Sequence, residues 1–304
     1  MYQEFNSQQQ KDLQEISELV HSFSSLGMDV IEHLLNASKI EKNKLASFFL
    51  FRQILEMGDA ISVLINVGCI NSCKPLIRSL IEYYFQLAYL LNENEERKSL
   101  QFFYHYEMQK KEYYERLVDN HKDFSFYKKL KNDKHLKNYQ ISKNQKLLYI
   151  ENIEKIKDTL SNENNKEIEI EYKRTELKKS NPKNKKPGKV KYWYELFDGP
   201  TSIEIIATNL EEAALYELIY RDYSSYTHGE DIVHTNLIPT GPETMGISML
   251  RDLRQLDMIS KNAIVIVERS IYLFIRKKVS PKNLFADKLL PIVNKSQELK
   301  GKNF

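Results

Sequence analysis

At 304 residues the chain can form one large domain or two modest ones, and its 41% hydrophobic share can supply a buried core. A net charge of +3 is too small for a protein that coats nucleic acid through its global field, so any basic partner surface has to be local. With 9 Gly and 8 Pro, breakers are scarce, which favours long helices over many short strands.

The first residues are polar and contain no apolar core of a secretory signal. The most apolar stretch, Ala263 to Ile275, is interrupted by Glu268 and Arg269. The expectation is a cytoplasmic protein without a membrane anchor. Cys69 and Cys73, spaced C-x3-C with no second pair, read as two small buried thiols on a helix rather than a zinc site or a disulfide framework.

In chain order, helical spacing of Leu13, Ile16, Leu19, Val20, Phe23, Leu26 and Val30 predicts an amphipathic helix over 8–38. A second helix is expected over 44–67 with Gly68 as its stop, and a third over 72–91 with Pro75 in its first turn. A fourth, rich in Glu and Tyr, is expected over 94–120. From His121 to Asn165 Lys and Asn dominate. The alternation Glu167-Ile168-Glu169-Ile170-Glu171-Tyr172 suggests a short edge strand or extended arm. Lys173 to Lys191 carries nine basic residues against the single acid Glu176 and reads as a loop.

Order returns at Tyr192-Trp193-Tyr194, and Thr201-Ser202-Ile203-Glu204 has the form of a helix start. A helix is expected over 211–227 with Gly229 as its stop. A loop follows through Pro239, Gly241, Pro242 and Gly246, then a long helix over 248–277. The tail at 280–304 is weakly patterned. The expected architecture is a single all-α domain over 1–304: a helical bundle with a Lys/Asn-rich polar insertion at 121–191, a short β-arm and a weakly structured tail.

The chemistry concentrates in Arg221-Asp222-Tyr223-Ser224-Ser225-Tyr226-Thr227-His228. Seven residues are nearly two helical turns, so Arg221, Ser225 and His228 share a face, with the ends about 10 Å apart along the axis. Arg is a permanent cation whose geometry matches phosphate. His titrates near neutral pH. RNA cleavage by the ribose 2′-OH needs a base for that proton, an acid for the leaving oxygen and a cation for the phosphorane. His228 can do the first two and Arg221 the third, with no cofactor and no metal, while Asp222 and Ser225 orient the pair. A plainer reading stands beside this one. A histidine next to Gly229 can simply cap helix carbonyls, and Arg221 with Asp222 can be a surface ion pair.

Three further groups matter. Arg78 and Glu82, one turn apart on an apolar helix, suit structural support of the core or of the site. The basic stretch with Lys183, Lys185, Lys186, Lys189 and Lys191, bordered by Trp193, suits either a phosphate-tracking, base-stacking arm or a solvated linker. His228, Asp231 and His234 offer a weak metal-binding alternative.

An Arg and a His separated by six residues on a late helix of a helical bundle resembles the R-x4–6-H motif of the HEPN superfamily. The likeness extends to Ile77-Arg78-Ser79-Leu80-Ile81-Glu82, to Trp193-Tyr194 and to Tyr220-x2-Tyr223-Ser224-x3-His228. The basic insertion departs from a minimal bundle of that kind. The resemblance implies a metal-independent endoribonuclease of a bacterial toxin–antitoxin, abortive-infection or phage-defence system. Its substrate would be RNA, its site would lie at a homodimer interface, and an antitoxin or defence protein would be its partner. His228 would be the general acid/base and Arg221 the phosphate-stabilising cation, with Arg78, Glu82, Tyr223 and Ser224 behind them. Two other readings are a non-catalytic helical module that binds nucleic acid or protein, and a metal-assisted phosphohydrolase built on His228, Asp231 and His234.

Overall fold

The structure is a computed structural model that describes residues 3–37, 41–118, 129–130, 132–136, 138–180, 188–227, 236–241 and 244–302. It is mostly helical, an all-α bundle carrying, among the described residues, one short two-stranded β-arm. Two compact units are present where the sequence suggested one domain: Met1–Glu95 with Ser202–Phe304, and Glu96–Thr201 between them.

The first unit is built on α1 (Ser7–Ala37), α2 (Leu45–Asn66), α3 (Cys73–Asn92) and α10 (Leu256–Lys278). Each of the first three runs within two residues of the bounds expected from its apolar spacing. α1 packs on α2, α2 on α3, and α10 on all three. Phe23, Phe51, Ile54, Ile77, Phe85, Ile266 and Phe274 are fully buried among them. Phe51 and Phe274 stack at 4.0 Å between ring centroids, and Phe48 meets Phe274 edge-on at 5.3 Å. Gly27 lets α1 and α2 approach: a Cβ there would lie 2.3 Å from Leu55 Cδ2. Gly68, at φ +73°, takes the left-handed conformation that ends α2, as its residue type predicts. Cys73 is buried, and burial pushes its thiol up to about 12, so it stays protonated and inert.

Two parts of this unit differ from the sequence expectation. The long late helix begins at Leu256, not Ser248. Arg251 adopts a left-handed φ of +65°, and the Asp252 carboxylate accepts the Arg254 backbone N–H at 3.0 Å, so a turn precedes the helix. Ahead of that turn, β1 (Leu237–Gly241) and β2 (Thr244–Ile247) pair antiparallel. The β-arm therefore lies here and not at 167–172.

The tail at 280–304 is also corrected: Ala286–Lys300 forms α11, which packs on α1. Leu289, Val293, Ser296 and Leu299 are buried at spacings of three and four. Pro291 masks the pattern, because within a helix it forfeits one backbone hydrogen bond.

The first unit also contains α7 (Ile203–Asn209), α8 (Ala213–Leu215) and α9 (Arg221–Thr227), with a π-helical turn over Tyr216–Tyr220 between the last two. Ser202 is the N-cap of α7; its hydroxyl accepts the Ile205 N–H at 3.2 Å.

The second unit contains α4 (Glu95–Leu117, all but its first residue), α5 (Lys143–Leu160) and α6 (Lys166–Lys178). The described part of the polar insertion is thus largely helical, and it shares a core with α4. Tyr104, Ile156, Leu160, Ile168, Tyr172, Val190 and Leu196 pack together. The Glu-Ile alternation at 167–172 folds as helix because Ile168, Tyr172 and Thr175 line one stripe, while Ile170 is left 69% exposed. α5 opens on a reciprocal capping box between Ser142 and Gln145. Glu171, buried, accepts from Arg174, Thr175 and the Phe197 backbone N–H at 2.9, 3.3 and 3.0 Å. Glu195, also buried, accepts from Lys179 and from the Lys191 backbone N–H.

His105 is buried on α4, and its Nε2 accepts from Gln109 at 2.8 Å. Burial holds its pKa below the ordinary 6.5. A base depressed in the folded state contributes stability that is complete above about pH 6.5 and is lost as pH falls through the folded value. Acidification from about pH 7.5 to 5 is therefore expected to lower the melting temperature of wild type more than that of His105→Gln. Parallel melting curves at the two pH values check this; equal losses would contradict it.

Candidate functional site

The segment with the Arg221 motif is anchored on its inner side by tyrosine hydroxyls. Burial and the neighbouring Glu82 push the Tyr220 hydroxyl up to about 12, so it remains a donor at neutral pH. It donates to Glu82 Oε1 at 2.6 Å and accepts from Arg78 Nη2 at 3.2 Å. Arg78 and Glu82 also pair directly across one turn of α3 at 2.9 Å. The Arg78 guanidinium lies 5.4 Å from the Tyr220 ring centroid, and its Nε is buried with no hydrogen-bond partner among the described residues. Farther along, Tyr223 is fully buried and its hydroxyl accepts from Asn262 Nδ2 of α10 at 2.7 Å. Lys74, one turn before Arg78, is 1% exposed and sets its ammonium 4.6 Å from the Tyr226 ring centroid.

Lys74, Arg78 and Glu82 thus form one ladder at i, i+4, i+8 on α3, facing Tyr220 and Tyr226. The π-helical turn helps: its extra residue per turn shifts the register between α8 and α9, and Tyr216 and Tyr220 stack at 5.0 Å within it. Such turns recur at functional sites.

The outer side carries the motif itself. Arg221 has 63% of its side chain exposed and pairs with Glu217 at 2.8 Å. Asp222 is exposed, and Ser224 and Ser225 are partly so. The Ser225 hydroxyl donates to the Asp222 carbonyl at 2.7 Å. Glu82 therefore holds Tyr220 and Arg78, while Arg221 is paired with Glu217. His228, with Gly229, Asp231 and His234, lies outside the described residues. Among the described residues no group of three or more His, Cys, Asp or Glu side chains could hold a metal ion.

The basic arm is placed differently from its sequence reading. Trp193 is 4% exposed and meets Phe102 edge-on at 5.8 Å, so it is a core residue and not a base-stacking platform. Lys189 pairs with Glu112 at 2.7 Å. Lys191 is exposed. Lys183, Lys185 and Lys186 lie outside the described residues. Lys74 and Asn262 were missed by sequence reasoning, which quoted Tyr220 in the motif but not its hydrogen bonds to Arg78 and Glu82. Lys74 carried a signal, since it continues the Arg78/Glu82 stripe by one turn. Asn262 carried none.

A family model matches residues 44–238, spanning α2 through the Arg221 helix and into β1. The chain belongs to the family of unknown function DUF5677. The DUF5677 match contains the Lys74/Arg78/Glu82 ladder, the tyrosines facing it and the whole Arg221–His228 motif. No curated protein matches the chain, and no solved structure does. Among the described residues no helix is long and apolar enough to cross a membrane.

Proposed function

We propose that this chain is a HEPN-type, metal-independent endoribonuclease of a bacterial toxin or phage-defence system. His228 serves as general acid/base, and Arg221 stabilises the phosphate. The observation that carries the reading is the two-sided character of α9. Its inner side is tied down through Tyr223, and Tyr220 anchors the turn just before it. Its outer side offers Arg221, Asp222 and Ser225 to solvent. A rigidly held helix with an accessible cation suits a bulky phosphodiester better than a buried small-molecule site would. The Arg221–Glu217 pair is exposed, so releasing the guanidinium to a phosphate costs little. Arg78 and Glu82 position the helix through Tyr220 and do not touch the reacting atoms.

The reaction follows from these roles. A base removes the 2′-OH proton, the 2′ oxygen attacks phosphorus, and the 5′ oxygen leaves with a proton from an acid. The products are a cyclic phosphate and a 5′-hydroxyl. Two copies of His228 in a homodimer would divide the acid and base roles.

The purified chain is expected to cleave RNA in the presence of a chelator, and His228→Ala to slow this by about 100- to 10,000-fold. Activity abolished by the chelator would transfer the proposal to the metal-assisted reading. RNA binding without cleavage, unchanged in His228→Ala, would transfer it to the binding module.

A further inference from the structure

A cleft of about 870 Å³ opens between α3, the turn joining α7 to α8, α10 and α11. Lys74, Arg78, Glu82 and the Arg221 motif do not line it. We propose that this cleft binds an organic phosphate monoester with an apolar body. The size lies within the range of small-molecule sites, roughly 300–1,000 Å³. Its walls are apolar: Ala88, Leu210, Leu273 and Phe285 line it.

Charge selects the head group. Arg269, Arg276, Lys277 and Lys282 line the cleft against the carboxylates Glu211 and Glu212. Glu212 is already engaged: it accepts from the Tyr84 hydroxyl at 2.6 Å and from Arg269 at 3.2 Å. Burial and Glu212 together push the Tyr84 hydroxyl far above its ordinary value, so it stays a donor and keeps that corner neutral. Arg276, Lys277 and Lys282, the last with its ammonium donating to the Arg276 backbone carbonyl, then line the cleft with the single remaining carboxylate Glu211. A net excess of two positive charges results. A phosphate monoester carries about −1.5 to −2 near neutral pH and complements this, whereas a carboxylate supplies half as much. Glu211 sits at φ +61°, a left-handed conformation costly for a side-chain-bearing residue, and one the fold holds at the cleft's edge.

The test is calorimetric titration of the full chain with 1-naphthyl phosphate, with inorganic phosphate and 1-naphthol as separate arms. The monoester is expected to bind at least about tenfold more tightly than either half, and Arg276→Ala/Lys277→Ala to weaken it by about tenfold or more. Both replaced side chains are exposed, so an unchanged melting temperature is expected of the variant. No binding of the monoester, equal binding of 1-naphthol, or undiminished binding in the variant overturns the proposal. None of these outcomes bears on RNA cleavage, which His228→Ala tests separately.

Discussion

Arg221→Ala is expected to lower RNA cleavage by about 100- to 1,000-fold, the usual consequence of removing one group that stabilises transition-state charge. The melting temperature should not move, because the side chain is mostly exposed and its partner Glu217 is exposed too. Lys at this position keeps the charge but loses the planar fork that matches two phosphate oxygens, so Arg221→Lys should recover only part of the rate. Single-turnover cleavage of a defined RNA, with thermal melts in parallel, checks this. Full activity in Arg221→Ala would remove Arg221 from the mechanism and leave it a solvent-facing partner of Glu217.

Phe274→Ala is expected to destabilise the first unit by about 3–5 kcal/mol. The ring is fully buried, stacked on Phe51 and edge-on to Phe48, so truncation removes two aromatic contacts and leaves a cavity between α2 and α10. That loss is comparable to a large part of a domain's net stability, about 5–15 kcal/mol. Urea unfolding followed by circular dichroism measures it. A cost below about 1 kcal/mol would mean that the neighbouring side chains collapse into the space, contrary to dense packing.

The three N-terminal helices were legible because their apolar residues recur at helical spacing with few polar interruptions. Helices α6 and α11 were not, for separate reasons. In α6 alternating Glu and Ile imitates a strand, and the decisive fact, that Ile168 and Tyr172 meet Tyr104, is a long-range one. In α11 Pro291 argues locally against a helix whose buried face outweighs it. The candidate site was legible in part. The Arg78/Glu82 pair shows in the sequence, but its partner does not: one-turn spacing says nothing about which neighbouring helix supplies the third group, and Tyr220 does. Trp193 beside a basic run suggested stacking on bases. Its burial against Phe102 depends on packing that no local pattern encodes.

The proposed cleavage of RNA by His228 and Arg221 is tested by expressing wild type and His228→Ala side by side in cells and scoring growth and total RNA integrity. Growth arrest and RNA fragmentation are expected with wild type, and normal growth with intact RNA with His228→Ala. Equal RNA fragmentation in both, or intact RNA in both, would contradict it.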